Sequence, residues 1–231
     1  ANEFQNAWTK CDARGIGDLD FELSFGTTWH DGTVLGDLVF GFIAPTSASA
    51  NVDGSYLSMP LGNNGHYEGR LGVQLSCDVN KWIRIAGYCH GAMAMSSVEK
   101  IIAPFKNATY FGLQPSTVYA DVSWQSLIAS ADLSLFATEW SSMSLKYQYM
   151  FKTKDSIELQ KSRALDASGI YREIASDQMK AYSERQSHKL MLTVSTAVGA
   201  NTLLSFGAST LVGGKNIGIE SDVFLTAIME F

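Results

Sequence analysis

The stretch Tyr67-Glu-Gly-Arg-Leu-Gly-Val-Gln-Leu-Ser-Cys-Asp-Val-Asn80 decides the fold. Its odd positions carry Tyr67, Leu71, Val73, Leu75, Cys77 and Val79, and its even positions carry Glu68, Arg70, Gln74, Ser76 and Asp78. A side-chain period of two belongs to an extended strand with one apolar and one polar face.

The same alternation recurs in both directions along the chain. It appears as Leu19, Phe21, Leu23, Phe25 against Asp20, Glu22, Ser24, Gly26, and as Met143, Leu145, Tyr147, Tyr149, Phe151 against Ser144, Lys146, Gln148, Met150, Lys152. Nine strands are predicted near 18–29, 33–44, 67–79, 82–95, 117–137, 140–152, 187–198, 202–213 and 219–231. Globular strands usually run about 5 or 6 residues. Strands of roughly 11 to 14 residues, tilted by about 40°, cross a hydrocarbon layer, so the fold class expected is all-β, a transmembrane antiparallel up-and-down barrel in a single domain over 1–231. In the fifth strand the apolar parity changes between Trp124 and Leu127, which marks a β-bulge or the point where the strand leaves the membrane.

The connections alternate in length. His30-Asp31-Gly32, Asn80-Lys81, Thr138-Glu139 and Gly199-Ala200-Asn201 are tight, whereas 45–66, 96–116 and 153–186 are long. Short turns on one side and long loops on the other suit a membrane barrel. Trp29, Trp82 and Trp140 fall beside tight turns, and Tyr67, Tyr149 and Phe151 fall at the opposite strand ends. Two interfacial girdles are expected, because an amphipathic ring prefers the headgroup level.

Composition agrees and excludes alternatives. The chain has 231 residues, 46% hydrophobic and 17% charged, with a net charge of -6. Nothing in that balance offers a basic footprint for nucleic acid. The densest apolar run, Leu38 to Pro45, is far shorter than the roughly 18 residues of a membrane-spanning helix. Ala1-Asn-Glu-Phe4 lacks the basic and apolar regions of a signal peptide. The cysteines Cys11, Cys77 and Cys89 show no CxxC spacing, and a turn at Asn80-Lys81 sets Cys77 opposite Arg84 and Cys89 opposite Gly72, so three free thiols are expected.

The chain ends Ser221-Asp-Val-Phe-Leu-Thr-Ala-Ile-Met-Glu-Phe231, apolar at every second position back from a terminal phenylalanine. This resembles the closing strand of bacterial outer-membrane barrels, porins especially. The resemblance implies an outer-membrane location, contact with outer-membrane lipid, and an assembly signal in Phe231, Met229, Leu225 and Val223 read by the barrel assembly machinery. Self-association into a homo-oligomer is compatible with it. Bacterial single-chain barrels are normally even-stranded. Three explanations of the odd count stay open: a tenth strand within 1–13, a longer parent barrel, or pairing with another subunit.

With the apolar face toward lipid, the polar face is expected to line a pore. Its principal members are Glu22, Glu68, Arg70, Gln74, Arg84, His90, Lys146, Gln148 and Lys189, interleaved with Gly and Ser. Segment 153–186 is rich in both charge signs, and the spacing of Ile170, Ile174, Gln178 and Tyr182 predicts a helix near 169–184. Folded inward, it would place Arg163, Arg172, Glu173 and Lys180 as a constriction; left outward, it is a solvated loop with internal ion pairs. His66, in Gly62-Asn-Asn-Gly-His66, reads as turn punctuation rather than a metal ligand. No GxSxG elbow or phosphate-loop frame occurs, and no enzyme, metal or cofactor is expected. The function expected is a porin passing small polar solutes or ions, with a closed structural or adhesive barrel as the alternative.

Overall fold

A computed structural model describes residues 17–47, 63–106, 116–165, 169–181, 183–198, 202–217 and 221–229. The elements in chain order are β1 (Leu19–Trp29), β2 (Val34–Ala44), β3 (Glu68–Asn80), β4 (Ile83–Ala103), β5 (Ser116–Thr138), β6 (Ser141–Lys152), β7 (Ser156–Leu159), β8 (Arg163–Leu165), β9 (Tyr171–Glu173), α1 (Ser176–Ala181), β10 (Arg185–Ala197), β11 (Thr202–Lys215) and β12 (Ser221–Met229). One ten-stranded antiparallel sheet runs β1-β2-β3-β4-β5-β6-β10-β11-β12, with β7 also on β5, and β8 and β9 form a separate hairpin. The alternating sequence thus gives an antiparallel meander. Among the described residues β1 pairs only with β2 and β12 only with β11, so the sheet has two free edges. The tenth strand of the sheet, β7, is a four-residue strand off the nine-strand path that the sequence reading does not foresee; residues 1–13, where a tenth barrel strand is expected, lie outside the described residues, as do Cys11, the expected turn 199–201 and Phe231.

The tight turns fall at one end of the sheet. His30 and Asp31, residue types enriched in the left-handed region, adopt φ of 51° and 55°, and Gly32 follows at 86°. The second and third turns are Lys81-Trp82 and Glu139-Trp140, each one residue later than the sequence suggests, because bulges shift the register at Asp78/Asn80 and Phe136/Thr138. Cys77 therefore faces Ile85, and Cys89 faces Val73. Cross-strand partners share a face. The expected pairing of Cys77 with Arg84 would have joined opposite faces, and Arg84 instead meets Asp78. Cys77 and Cys89 are free.

At the other end, β5 begins at Ser116, where the sequence places it, but β4 does not stop near 95 and runs on to Ala103. They continue as one ribbon, Val98–Ala103 against Ser116–Val122, past a β4 bulge between Ala94 and Ser97. The backbone of β5 keeps its parity throughout; the environment of each face changes instead. Below Trp124, Leu127, Leu133 and Leu135 are exposed on one face, opposite Ser126, Ser130, Asp132 and Ser134. Above it, Val118, Ala120 and Val122 on the formerly polar face are buried beneath Ile157, Leu159, Ile174 and Met179.

All buried hydrophobic residues among those described, from Ala92 and Ala94 through Phe105 to Ala175, belong to this long-loop half. In the tight-turn half the large apolar side chains, Leu23, Phe25, Leu71, Leu75, Leu145 and Leu192 among them, are exposed. A water-soluble domain rarely leaves so large an apolar patch uncovered.

The helix is shorter than its apolar spacing predicts. Residues 171–173 are strand β9 against β8, and Ile174 forms a bridge with Phe105, leaving only Ser176–Ala181 helical. Tyr171 and Ile174 are strand formers, and once Ile174 is buried against Ala103 and Val118 tertiary packing decides the conformation.

Candidate functional site

The candidate site is the polar face of the sheet, framed at one end by the cap built on the β4–β5 ribbon. Strand pairing puts Glu22, Glu68, Arg70, Gln74, Arg84, His90, Lys146, Gln148 and Lys189 on this one face, since each alternates with an exposed apolar neighbour. Its charges form short cross-strand contacts. Arg70 donates through Nη1 to Asp20 at 2.9 Å and through Nε to Glu68 at 2.9 Å. Arg84 holds Asp78 with two bonds, 2.6 and 3.0 Å, and Lys189 reaches Asp222 at 3.1 Å. Tyr88 stacks on His90 with centroids 5.6 Å apart, and Lys146 lies 4.7 Å over the Tyr88 ring. Small residues keep the centre open. A Cβ on Gly72 would meet the His90 Cβ at 2.6 Å, and one on Gly41 would press on Arg70. Between these groups lies a cavity of about 210 Å³, lined by Glu22, Arg70, Gln74, Tyr88 and His90. That volume holds several waters at about 30 Å³ each.

On the apolar face, Trp29, Trp82 and Trp140 are exposed at the tight-turn end. At the other end Tyr67 stacks on Phe42 at 5.8 Å, and Tyr149 with Tyr147 flanks His188, whose Nδ1 lies 2.6 Å from the Tyr147 hydroxyl. Phe151 faces Leu127 there. Val223 and Leu225 are exposed on β12; Met229 ends that strand.

The four residues expected at a constriction sit in the cap. Glu173 accepts from Lys106 at 3.1 Å and lies 3.8 Å from Arg163, both contacts at the surface, and the Lys106 bond holds its carboxyl below the usual range. Arg172 is partly covered on β9, and Lys180 lies in the last turn of α1. Glu173 is thus engaged in surface ion pairs, the pattern of a solvated segment.

Two organising residues escaped the sequence reading. His66 is fully buried: Nδ1 lies 2.9 Å from the Met95 carbonyl, Nε2 bonds to Glu99, and the ring packs on Trp124 at 4.4 Å. Both partners are acceptors, so the ring satisfies them only as imidazolium. Burial pushes the His66 proton affinity down, but the bonds to Glu99 and Met95 and the fields of Glu99 and Asp155 outweigh it, leaving the pKa above its ordinary value. Beside it Lys152 lies 4.5 Å over the Trp124 ring and bonds Asp155 at 2.6 Å.

Asp18 is the second. Its carboxylate accepts from the Ser47 amide at 2.9 Å and from the Asn63 amide, tying both stems of the 45–66 connection to the start of β1. Burial raises its pKa, and these bonds more than reverse that, so it is lowered. The stabilisation is present above the ordinary carboxylate range and fades as pH falls through the lowered value. Asp18→Ala is expected to cost about 1 kcal/mol after allowance for solvent screening. Faster proteolytic cleavage within 45–66, with the sheet intact by circular dichroism, is the measurement.

Among the described residues no group of three His, Cys, Asp or Glu side chains converges to hold a metal ion. No protein-family model matches the chain, and no curated protein matches it.

Proposed function

We propose that this chain spans a bacterial outer membrane as a β-barrel and serves as a channel for passive diffusion of small polar solutes or ions. The observation that carries the reading is the inversion along β5. Over Ser126 to Phe136 the apolar face is exposed and the polar face is turned away from it, whereas over Val118 to Val122 the once-polar face is buried and apolar. A strand in one solvent has no reason to invert. A strand that passes from lipid into water does.

Register supports closure. A row of directly paired residues runs Thr28, Leu35, Ser76, Ala86, Asp132, Lys146, Met191, Ser209, Asp222 across the sheet. It starts one residue from the end of β1 and finishes one residue from the start of β12. If both edges occupy the same layer, that stagger is about eight residues, roughly 26 Å over about 38 Å of sheet, a tilt of about 35°. Barrels close with tilts of about 35–45°. On this reading the tight turns are periplasmic, the cap is extracellular, the two aromatic bands lie at the interfaces, and Val223, Leu225, Met229 and Phe231 form the signal for the assembly machinery. No reaction is assigned to the polar face.

Purified protein in planar bilayers is expected to give discrete conductance steps. A closed adhesive barrel, favoured by the folded cap of β7, β8, β9 and α1, would insert without conducting. Protein that stays soluble and monomeric without detergent would end both readings.

A further inference from the structure

We propose that the path along the polar face favours small cations over anions, and that Glu22 and Asp37 on β1 and β2 set this preference; the inference rests on the channel reading above. The membrane-level part of that face carries the carboxylates Asp20, Glu22, Asp37, Glu68, Asp78, Asp132 and Asp222 against the bases Arg70, Arg84, Lys146, Lys152 and Lys189. Four of these five bases are ion-paired: Arg70 is held by two carboxylates, Arg84 by both oxygens of Asp78, Lys152 by Asp155 and Lys189 by Asp222, while Lys146 lies over the Tyr88 face. The carboxylates are not all matched: among the described residues Glu22 and Asp37 take part in no ion pair, and Asp132 accepts only from the Ser134 hydroxyl, at 2.8 Å.

Position adds to charge. Glu22 lines the 210 Å³ cavity, and Asp37 lies two residues from Val39 on the same cavity wall. Asp37 is also the cross-strand partner of Gly26 and Gln74, so no neighbouring base screens it directly. A narrow path between low-dielectric walls amplifies an uncompensated charge. A cation there meets the carboxylates of Glu22 and Asp37 with no ion-pair partner, whereas an anion meets bases of which only Lys146 lacks a carboxylate partner. Rings of acidic side chains select cations in channels by the same physics.

The test is the reversal potential of wild-type channels in a tenfold KCl gradient, compared with the E22Q/D37N double variant and with E158Q on exposed β7. Wild type and E158Q are expected to reverse on the cation-selective side, and the double variant's K-to-Cl permeability ratio is expected to fall at least about threefold. A conducting wild type with no cation preference overturns the inference while leaving the channel reading intact, as does an unchanged ratio in a double variant that still inserts. Should the double variant not insert, the wild-type reversal potential decides alone. Absence of any conductance overturns the channel reading itself.

Discussion

Four arginine substitutions along β5 are expected to divide two against two. Leu133→Arg, on the exposed apolar face, should destabilise the folded state in lipid by about 2–4 kcal/mol. Val122→Arg, on the opposite face but in the cap, should cost about 3–5 kcal/mol, because it leaves an uncompensated charge in a packed apolar cluster. Ser130→Arg and Asp121→Arg, on the polar stretches of the same two faces, should stay within about 1 kcal/mol. Guanidinium titration of protein folded into vesicles, followed by tryptophan emission, gives the four values. The pattern is diagnostic because the tolerant and intolerant faces exchange along one strand. A costly Ser130→Arg beside a silent Leu133→Arg would mean that the polar face is the packed one, and no membrane would be needed to explain the chain.

The second large effect is centred on His66. Replacing it with alanine strands the Met95 carbonyl, leaves the Glu99 carboxylate with the Asn64 amide as its donor, and removes the ring that packs on Trp124. A loss of about 2–4 kcal/mol in the cap is expected, with His66→Gln restoring part of it through one N–H donor. The pH dependence follows from the raised affinity for a proton. Its stabilisation is complete below the ordinary histidine value of about 6.5 and is lost as pH rises through the higher folded value. Hydrogen exchange of the Val98–Ala103 amides should therefore quicken on the alkaline side in wild type and lose that pH dependence in His66→Ala. Wild-type exchange that slows with rising pH, after correction for intrinsic rates, would show that the buried ring is neutral.

The sheet was legible where solvent on the two faces differs consistently, because alternation then survives in every strand. Phe21, Leu71, Leu145 and Leu192 announce themselves in this way, and the strand pairing follows their order. The three described tight turns were legible to within one residue, since a bulge adds a residue without disturbing composition. The cap was not legible. Val118, Ala120, Val122, Ile157 and Ile174 gain their burial from partners far away in sequence, and the helical spacing around Ile174 was outweighed by those contacts. His66 and Asp18 were missed for a related reason: Glu99 and Asn63 are 33 and 45 residues distant, and no local pattern links them. The polar face was readable as a set of side chains, but which base meets which acid depended on register.

Every long strand except β6 and β10 pairs with the strand next to it in the chain, and that one exception merely spans the cap. Pairing between consecutive strands favours stepwise growth over a search among distant partners. The polypeptide can be laid down hairpin by hairpin, each new strand templated on a finished edge. On the closure proposed above, only the meeting of first and last strands would demand a search over the whole length, so that seam is where assembly would pause, and where a chaperone holding the unfinished rim would have most to do.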